Sequence, residues 1–162
     1  MKITVLGCSA SEGIPAIFCN CDLCRQARER KIYRTRSQIL INDDMLVDFP
    51  PDTYYRSLVM GVELGKIENI LVTHSHCDHF YADDFFARGD WSSFCLPVET
   101  VTIHGNTAIR NAFERNGYAK KKGTYVHESR GMINGYNVYD QSSEYTVHKP
   151  FETFTAGKYV VT

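Results

Sequence analysis

No stretch of apolar residues in this sequence approaches the roughly 18 residues that a membrane-spanning helix needs. The chain also lacks an excess of charge of either sign, because 18 lysines and arginines stand against 19 aspartates and glutamates. Overall charge therefore gives no reason to expect a nucleic-acid or membrane ligand. The N-terminal segment MKITVLGCSA has too short an apolar run for a signal peptide and is typical of a first strand. We therefore expect a cytoplasmic protein.

Apolar residues make up 43% of the 162 residues, which is enough for a hydrophobic core, and the length suits one domain over residues 1–162. Short apolar segments typical of strands include KITVLG, the hairpin pair SQILI and MLVDF, NILVT and VTIHG. Segments with helix signals lie between them: CDLCRQARER, PPDTYYRSLVMG, YADDFFARG and NTAIRNAFERNG. This alternation predicts an α/β fold. Residues 118–143 are polar and weakly periodic and are expected to form a loop, and EYTVHKPFETFTAGKYVVT predicts two or three further strands.

Three of the six histidines lie within six residues, in the segment THSHCDHF. His74 and His76 are two residues apart after a strand, so their side chains point the same way in extended backbone and can converge on one ion. Asp78 and His79 follow as the chain turns and can face a second ion. Two metal ions roughly 3.5–4 Å apart can share a water and lower its pKa towards neutrality. The spacing predicts a metal centre, and the alternative is a surface loop that is merely rich in histidine.

Cys19, Cys21 and Cys24 have the spacing C-x-C-x-x-C in a chain for which we expect a reducing compartment. Three thiolates supply three of the four ligands of a structural zinc site. The alternatives are three reduced, partly buried thiols or a redox pair. Cys77 stands at a variable position of the histidine motif and is interpreted as a bystander. Cys8 and Cys95 are interpreted as core residues.

The segment THSHCDHF matches the H-x-H-x-D-H signature of the metallo-β-lactamase superfamily. Further likeness comes from LVDF, which places Asp48 where that superfamily has an aspartate at the end of an early strand, and from LGCSASEGIPAIFCNCDLC. The latter resembles the N-terminus of the branch that includes the cyclic-phosphate phosphodiesterase of the carbon–phosphorus lyase pathway. Phe49, Pro50 and Pro51 depart from the branch, which often has a glycine soon after the aspartate, and Cys8 replaces a frequent threonine.

The resemblance implies an αββα sandwich of which this chain is the N-terminal half, incomplete at its C-terminus. It implies that the metal ligands are His74, His76, Asp78 and His79, with Asp48 behind them as the residue that orients the loop. It further implies that a third histidine, a bridging aspartate and a last histidine come from a later segment, and that a late histidine completes the cysteine site.

Three further histidines of this chain are alternatives for the missing ligands. His104, His127 and His148 are each candidates for the third ligand at the histidine motif, and His127 or His148 for the fourth ligand at the cysteines. His148 lies before PFETFTAGKYVVT, which resembles the segment that precedes the family's third histidine. No general acid is identifiable from the sequence.

These features predict a metal-dependent hydrolase, foremost a phosphodiesterase acting on a small phosphodiester or nucleotide-like substrate through a hydroxide that bridges two divalent ions, zinc or manganese. One structural zinc would occupy the cysteine cluster. The alternatives are a hydrolase of another ester, a thioester or a lactam, and a non-catalytic zinc-binding or interaction module. An isolated N-terminal half would expose an apolar sheet face, so we expect self-association or pairing with a missing C-terminal half, and no membrane partner.

Overall fold

The computed structural model describes residues 1–88, 93–116, 120–121, 129–133, 136–139 and 143–162. Its strands are β1 (Ile3–Gly7), β2 (Gln38–Ile41), β3 (Met45–Val47), β4 (Asn69–Leu71), β5 (Val101–Gly105), β6 (Lys120–Lys121), β7 (Ser129–Ile133), β8 (Tyr136–Tyr139), β9 (Ser143–Val147), β10 (Phe154–Ala156) and β11 (Tyr159–Val161). The α-helices are α1 (Asp22–Glu29), α2 (Thr53–Met60) and α3 (Thr107–Asn116), and 3-10 helices cover Leu64–Lys66 and Ala82–Arg88. Within these described ranges, no helix is long and apolar enough to span a membrane.

A seven-stranded sheet with the order β1-β2-β3-β4-β5-β9-β6 organises the chain. The first three strands pair antiparallel, and every pair from β3 to β6 in that order is parallel. Helices lie in the connections from β3 to β4 (α2), from β4 to β5 (the 3-10 helix Ala82–Arg88) and from β5 to β6 (α3), as is usual between parallel strands. The predicted α/β class is therefore confirmed. Because β3, β4, β5 and β9 run the same way, their carboxyl ends meet at one edge of the sheet, where ligands bind in α/β folds.

One face of the sheet is covered by helices and carries the core. Leu40, Leu46, Ile70 and Ile103 lie opposite one another across four strands. All four are at most 4% exposed. The helical residues packed against them include Phe85, Ile109 and Phe113. Alternate strand residues share a face, so this register places every second residue of the central strands in the core.

The opposite face is covered by the β10–β11 hairpin over β3 to β5 but not over β1. Val47, Leu71 and His104 line a shallow cleft there together with Phe154 and Val161 of the hairpin. In the same register as Val47, Val5 of β1 is 55% exposed. The apolar character of this face thus extends beyond the part that the hairpin covers.

Polar contacts fasten the hairpin to the turn between β2 and β3. The Asp44 carboxylate accepts a hydrogen bond from the Tyr159 hydroxyl at 2.5 Å and forms an ion pair with Lys158. Burial acts to raise the pKa of Asp44, but these contacts outweigh it and hold the pKa below its usual value. Gly157 packs so closely on Asn69 of β4 that a Cβ at this position would lie 2.7 Å from the Asn69 Nδ2 atom.

Helix α2 reverses the usual amphipathic arrangement. It buries the hydroxyl side chains of Thr53 and Ser57, whereas Tyr54 and Leu58 are 65% and 64% exposed. Gly61 ends the helix in the left-handed conformation with φ at 67°, as its position after the apolar run predicts. The sequence therefore located this helix but gave no indication of which side faces the protein.

Two expectations from the sequence were wrong. Residues 118–143 are not simply a loop, because β6, β7, β8 and the start of β9 lie within them. Strands β7 and β8 pair with each other in a separate two-stranded sheet with a register shift, and such local pairing needs no regular apolar alternation. Cys8 and Cys95 are exposed rather than in the core, since Cys8 follows the last residue of β1 and Cys95 lies outside any helix or strand.

Candidate metal centre

The histidine motif occupies the loop that follows β4 at the carboxyl edge of the sheet. Backbone hydrogen bonds from the amides of His79 and Phe80 to the carbonyl of His76, at 2.9 and 2.8 Å, turn the loop back on itself. This turn brings the imidazole of His79 over that of His74, with ring centroids 4.0 Å apart, while His76 lies edge-on to His74 at 4.8 Å. Three imidazoles that are spread over six residues of sequence are thus gathered at one point.

Asp48 holds this loop from the end of β3. Its side chain is 5% exposed, and its backbone adopts a left-handed conformation with φ at 65°, which aspartate tolerates better than most residues. The Oδ1 atom accepts hydrogen bonds from the backbone amide and the hydroxyl of Thr73, both at 2.8 Å. The Oδ2 atom lies 2.7 Å from Nδ1 of His79. One carboxylate therefore fixes both the start and the end of the histidine loop.

This contact determines which nitrogen of His79 can bind a metal. An ionised carboxylate can only accept, so the proton of the neutral imidazole lies on Nδ1. The Nε2 lone pair is then available, and Nε2 lies 3.5 Å from the Oδ2 atom of Asp78. A carboxylate behind a histidine is the usual arrangement around metal-binding imidazoles, where it fixes the tautomer and raises the basicity of the ligand. Together the three histidines of the loop and Asp78 offer three imidazole nitrogens and one carboxylate, a set of donors that suits divalent transition metals.

The cysteines form a second candidate site at the start of α1. The sulfur atoms of Cys19, Cys21 and Cys24 lie within 4.8 Å of one another, an arrangement compatible with a metal ion. Within the described residues, this is the only group of three or more possible ligands drawn so closely together, and the histidine motif is not as compact. Instead, the rings of His74 and His79 lie close together at an interplanar angle of 43°.

The three thiols differ in their surroundings. Hydrogen bonds, first from the backbone of Cys24 and then from the neighbouring thiols, lower the pKa of Cys21, which is exposed at the N-terminus of α1. The hydrogen bond from the amide of Ala16 acts to lower the pKa of Cys24, but burial and the two other thiols raise it overall. Cys21 therefore loses its proton more readily than Cys24 does. This matters because zinc binds thiolates rather than thiols.

The later histidines form an arrangement that the sequence did not predict. His104 is 4% exposed, and its Nε2 and Nδ1 atoms lie 3.1 Å from Asn69 Oδ1 and from His148 Nε2. His148 stacks on Phe154 with ring centroids 3.5 Å apart. Its Nδ1 atom lies 3.7 Å from Glu152. The structure therefore pairs His104 and His148 with each other, and His127 lies outside the described residues.

Solved structures similar to this chain share its fold. Zinc-bound PqqB from Methylobacterium extorquens superposes with a TM-score of 0.64 and 19% identity, over 95% of this chain and 51% of that one. A diphosphatase from the PhnP family gives a TM-score of 0.53 and 23% identity over 85% of this chain and 59% of its own. YhfI from Bacillus subtilis, a metallo-β-lactamase fold protein, gives a TM-score of 0.52 and 17% identity, over 96% of this chain and 48% of its own.

The relative found by comparing sequences has a name unlike those of the similar solved structures. An octanoyltransferase of Porphyromonas gingivalis is 29% identical over 129 residues, which are 77% of this chain and 25% of that protein. No protein-family model matches the chain. The chain thus spans about a quarter of this curated relative and about half of the similar solved structures. At these identities the likeness establishes the architecture alone, and the chain has the metallo-β-lactamase fold.

Proposed function

We propose that this chain carries the metal-binding part of a metal-dependent hydrolase whose substrates are phosphodiesters. The observation that carries the proposal is the bond between Asp48 Oδ2 and His79 Nδ1, because it leaves Nε2 of His79 directed away from the carboxylate and able to bind an ion. A histidine on an ordinary surface loop has no need of a buried carboxylate that also holds the start of that loop through Thr73.

The proposed ligands divide into two pairs along the loop. His74 and His76 would hold one ion, and Asp78 and His79 a second, with Asp48 orienting the loop. The Thr73 hydroxyl lies 3.1 Å from Nδ1 of His74, so Nε2 is the ring nitrogen of His74 that would bind the metal. Two divalent ions, zinc or manganese, would supply an activated water and stabilise negative charge on a phosphoryl oxygen.

We further propose that Cys19, Cys21 and Cys24 hold one structural zinc. The site is remote in sequence from the histidine loop and ties the segment before α1 to the helix itself, because Cys24 lies inside α1 and Cys19 before it. Structural zinc sites have four ligands, so a fourth donor completes the site. Of the two ring nitrogens of His148, Nδ1 is the one that could serve as this donor, because Nε2 is engaged by His104.

The phosphodiester assignment draws on the fold shared with a diphosphatase from the PhnP family. Hydrolysis of an acyl ester or thioester is a second candidate, because the relative found by sequence is an octanoyltransferase. A zinc-binding module without catalysis is the alternative outside enzymology. Bis(p-nitrophenyl) phosphate, a cyclic ribose phosphate, an octanoyl thioester and a β-lactam, supplied in parallel, distinguish these candidates by which one is cleaved.

Metal content is the decisive test, since it does not depend on turnover. The chain is purified without chelator and analysed for metal per chain, beside the variants His76→Ala and Cys21→Ser and the control Ser75→Ala. We expect each of the first two variants to lose metal from its own site only and the control to lose none. Equal metal content in wild type and His76→Ala would contradict a metal centre at the histidine loop, whatever the activity.

A further inference from the structure

A basic segment, residues 25–34, covers most of α1 and the chain that follows it. Half of its ten residues are basic and only Glu29 is acidic, although the whole chain has a net charge of −1. All five basic side chains are exposed, namely Arg25, Arg28, Arg30, Lys31 and Arg34. The first of them pairs with Asp22. The last three form no ion pair with the residues that the structure describes, so their charges can attract an anion.

The loop that carries Phe18 is fastened to this basic segment. Ile14 and Arg34 exchange two backbone hydrogen bonds, at 2.9 and 2.8 Å. The guanidinium of Arg28 donates to the carbonyl of Cys19, the residue after Phe18, at 2.6 Å. The loop and the segment therefore form one surface, on which an aromatic ring lies close to the cations.

Packing within the chain does not account for the ring of Phe18. The side chain is 97% exposed, so it buries almost nothing. Its backbone has φ at 66°, a left-handed conformation that is unfavourable for a bulky residue. Tyr33 lies within the basic segment itself and is 55% exposed. Exposed aromatic rings beside arginines are the elements on which unpaired bases stack in single-strand binding sites.

The basic segment leads to the edge of the sheet that carries the histidine loop. Strands β1 and β3 both pair antiparallel with β2, so β1 ends at the same edge as Asp48. Just after the segment, Arg36 forms an ion pair with Asp52 at 2.9 Å. Asp52 closely follows Phe49, whose amide donates to the carbonyl of His79 at 2.7 Å. A polymer bound along the cations would therefore lie on the side of the proposed metal ligands.

We propose that the basic segment and Phe18 bind single-stranded nucleic acid, with the cations on its phosphates and the rings of Phe18 and Tyr33 against its bases. Four of the five cations are arginines, which match a phosphate with two parallel N–H donors and also stack on planar groups. Presentation of this strand to the histidine loop rests on the proposed phosphodiesterase function. Binding itself requires no hydrolysis, so the two can fail separately.

Fluorescence anisotropy of a labelled oligothymidylate of about 12 nucleotides, within the usual size of single-strand sites, tests the proposal. Each phosphate contact to a single strand contributes about 0.7 to the slope of log affinity against log salt, so Arg30→Gln/Lys31→Gln should reduce this slope by about 1.4. The matched control is Lys2→Gln/Lys66→Gln. It removes the same charge from exposed residues that precede β1 and β4, at the opposite edge of the sheet, and should leave the slope unchanged.

Removal of the aromatic ring gives an independent arm. Phe18→Leu keeps an apolar side chain and should weaken binding of the oligothymidylate at least about fivefold, because it can no longer stack on a base. Phe151→Leu is the matched control. Phe151 is likewise fully exposed with φ at 62°, but it lies in the turn after β9 and should contribute nothing.

The variant His76→Ala separates this proposal from the proposed function. It lacks a proposed metal ligand and should bind the oligothymidylate like the wild type, even where no cleavage is seen on gels. Circular dichroism establishes that each variant is folded. The proposal is overturned if the wild type shows no saturable binding, if the two double variants have the same salt slope, or if Phe18→Leu binds like Phe151→Leu. Binding to vesicles of phosphatidylserine and phosphatidylcholine without binding to the oligothymidylate would equally overturn it.

Discussion

The substitution Asp48→Asn isolates the hydrogen bonds that orient the histidine loop. Asparagine has the same size as aspartate and tolerates the left-handed backbone at this position, where φ is 65°. In the wild type, Thr73 and His79 donate to the two carboxylate oxygens of Asp48. Asparagine offers them only one accepting oxygen, and its other group is an NH₂ donor. If the oxygen faces Thr73, the NH₂ group faces Nδ1 of His79, and the imidazole must move its proton to Nε2, the nitrogen proposed to bind metal. If the oxygen faces His79, the NH₂ group opposes the amide of Thr73.

Either outcome carries a similar cost. A buried donor that loses its acceptor costs about 1–3 kcal/mol. At about 1.4 kcal/mol for each factor of ten, this corresponds to a loss of roughly 5- to 150-fold in metal affinity at the histidine loop. The range agrees with the roughly 10- to 100-fold effects of removing residues that orient metal ligands. Affinity is measured by competition with a chromophoric chelator, with the cysteine site unaffected.

A second measurement examines the tautomer directly. Long-range ¹H–¹⁵N correlation spectra should show the proton of His79 on Nδ1 in the wild type and a shift towards Nε2 in Asp48→Asn. The control is Asp52→Asn, which removes a carboxylate hydrogen-bonded at 2.9 Å to the backbone and side chain of Arg36, away from the loop. Unchanged metal affinity together with an unchanged tautomer in the Asp48 variant would refute the reasoning.

Three further predictions concern the fold. Burial acts to raise the pKa of Asp44, but contacts from the β10–β11 hairpin lower it overall. The Asp44 carboxylate therefore stabilises the folded protein at pH values above the unfolded-state pKa of about 3.9. This stabilisation is lost as the pH falls through the lower folded-state pKa. The difference in unfolding free energy between wild type and Asp44→Asn should accordingly vanish in acid, and a difference independent of pH would contradict the assignment. Gly157→Ala should destabilise more than Gly61→Ala in urea denaturation, because both have positive φ but only Gly157 would place a Cβ against Asn69. We also propose that the uncovered sheet face drives self-association, so sedimentation should show a concentration-dependent increase in mass that Val5→Lys reduces; a monomer at all concentrations would count against it.

The parts of the fold that the sequence predicted are those set by neighbouring residues. The β2–β3 hairpin follows from a polar turn between two apolar segments, and Asn42 in that turn has φ at 51°. Helix α3 begins as predicted, with Asn106 accepting a hydrogen bond from the amide of Ala108 at 2.9 Å. The grouping of His74, His76 and His79 likewise depends on one strand and one turn. The assignment of these side chains as metal ligands stays a prediction.

Other features depend on contacts between distant segments and left no local signal. The core layer formed by Leu46, Ile70 and Ile103 arises from the register of three strands that are far apart in sequence. The orientation of α2 is of the same kind, since Thr53 is buried because its hydroxyl bonds to the carbonyl of Pro50 and accepts from Gln38 of β2. A helical periodicity that assigns apolar residues to the interior cannot anticipate a buried hydroxyl with a distant partner.

The pairing of His104 with His148 bears directly on how the histidine loop is completed. From the sequence, both were candidates for a third metal ligand. The strand order β4-β5-β9 instead places Asn69 and His148 on either side of His104, and hydrogen bonds at 3.1 Å engage both of its ring nitrogens. To bind a metal, His104 would have to give up one of these bonds while 4% exposed, and a buried polar group that loses its partner costs about 1–3 kcal/mol. This cost disfavours His104 as the third ligand and gives it a structural role in joining three parallel strands.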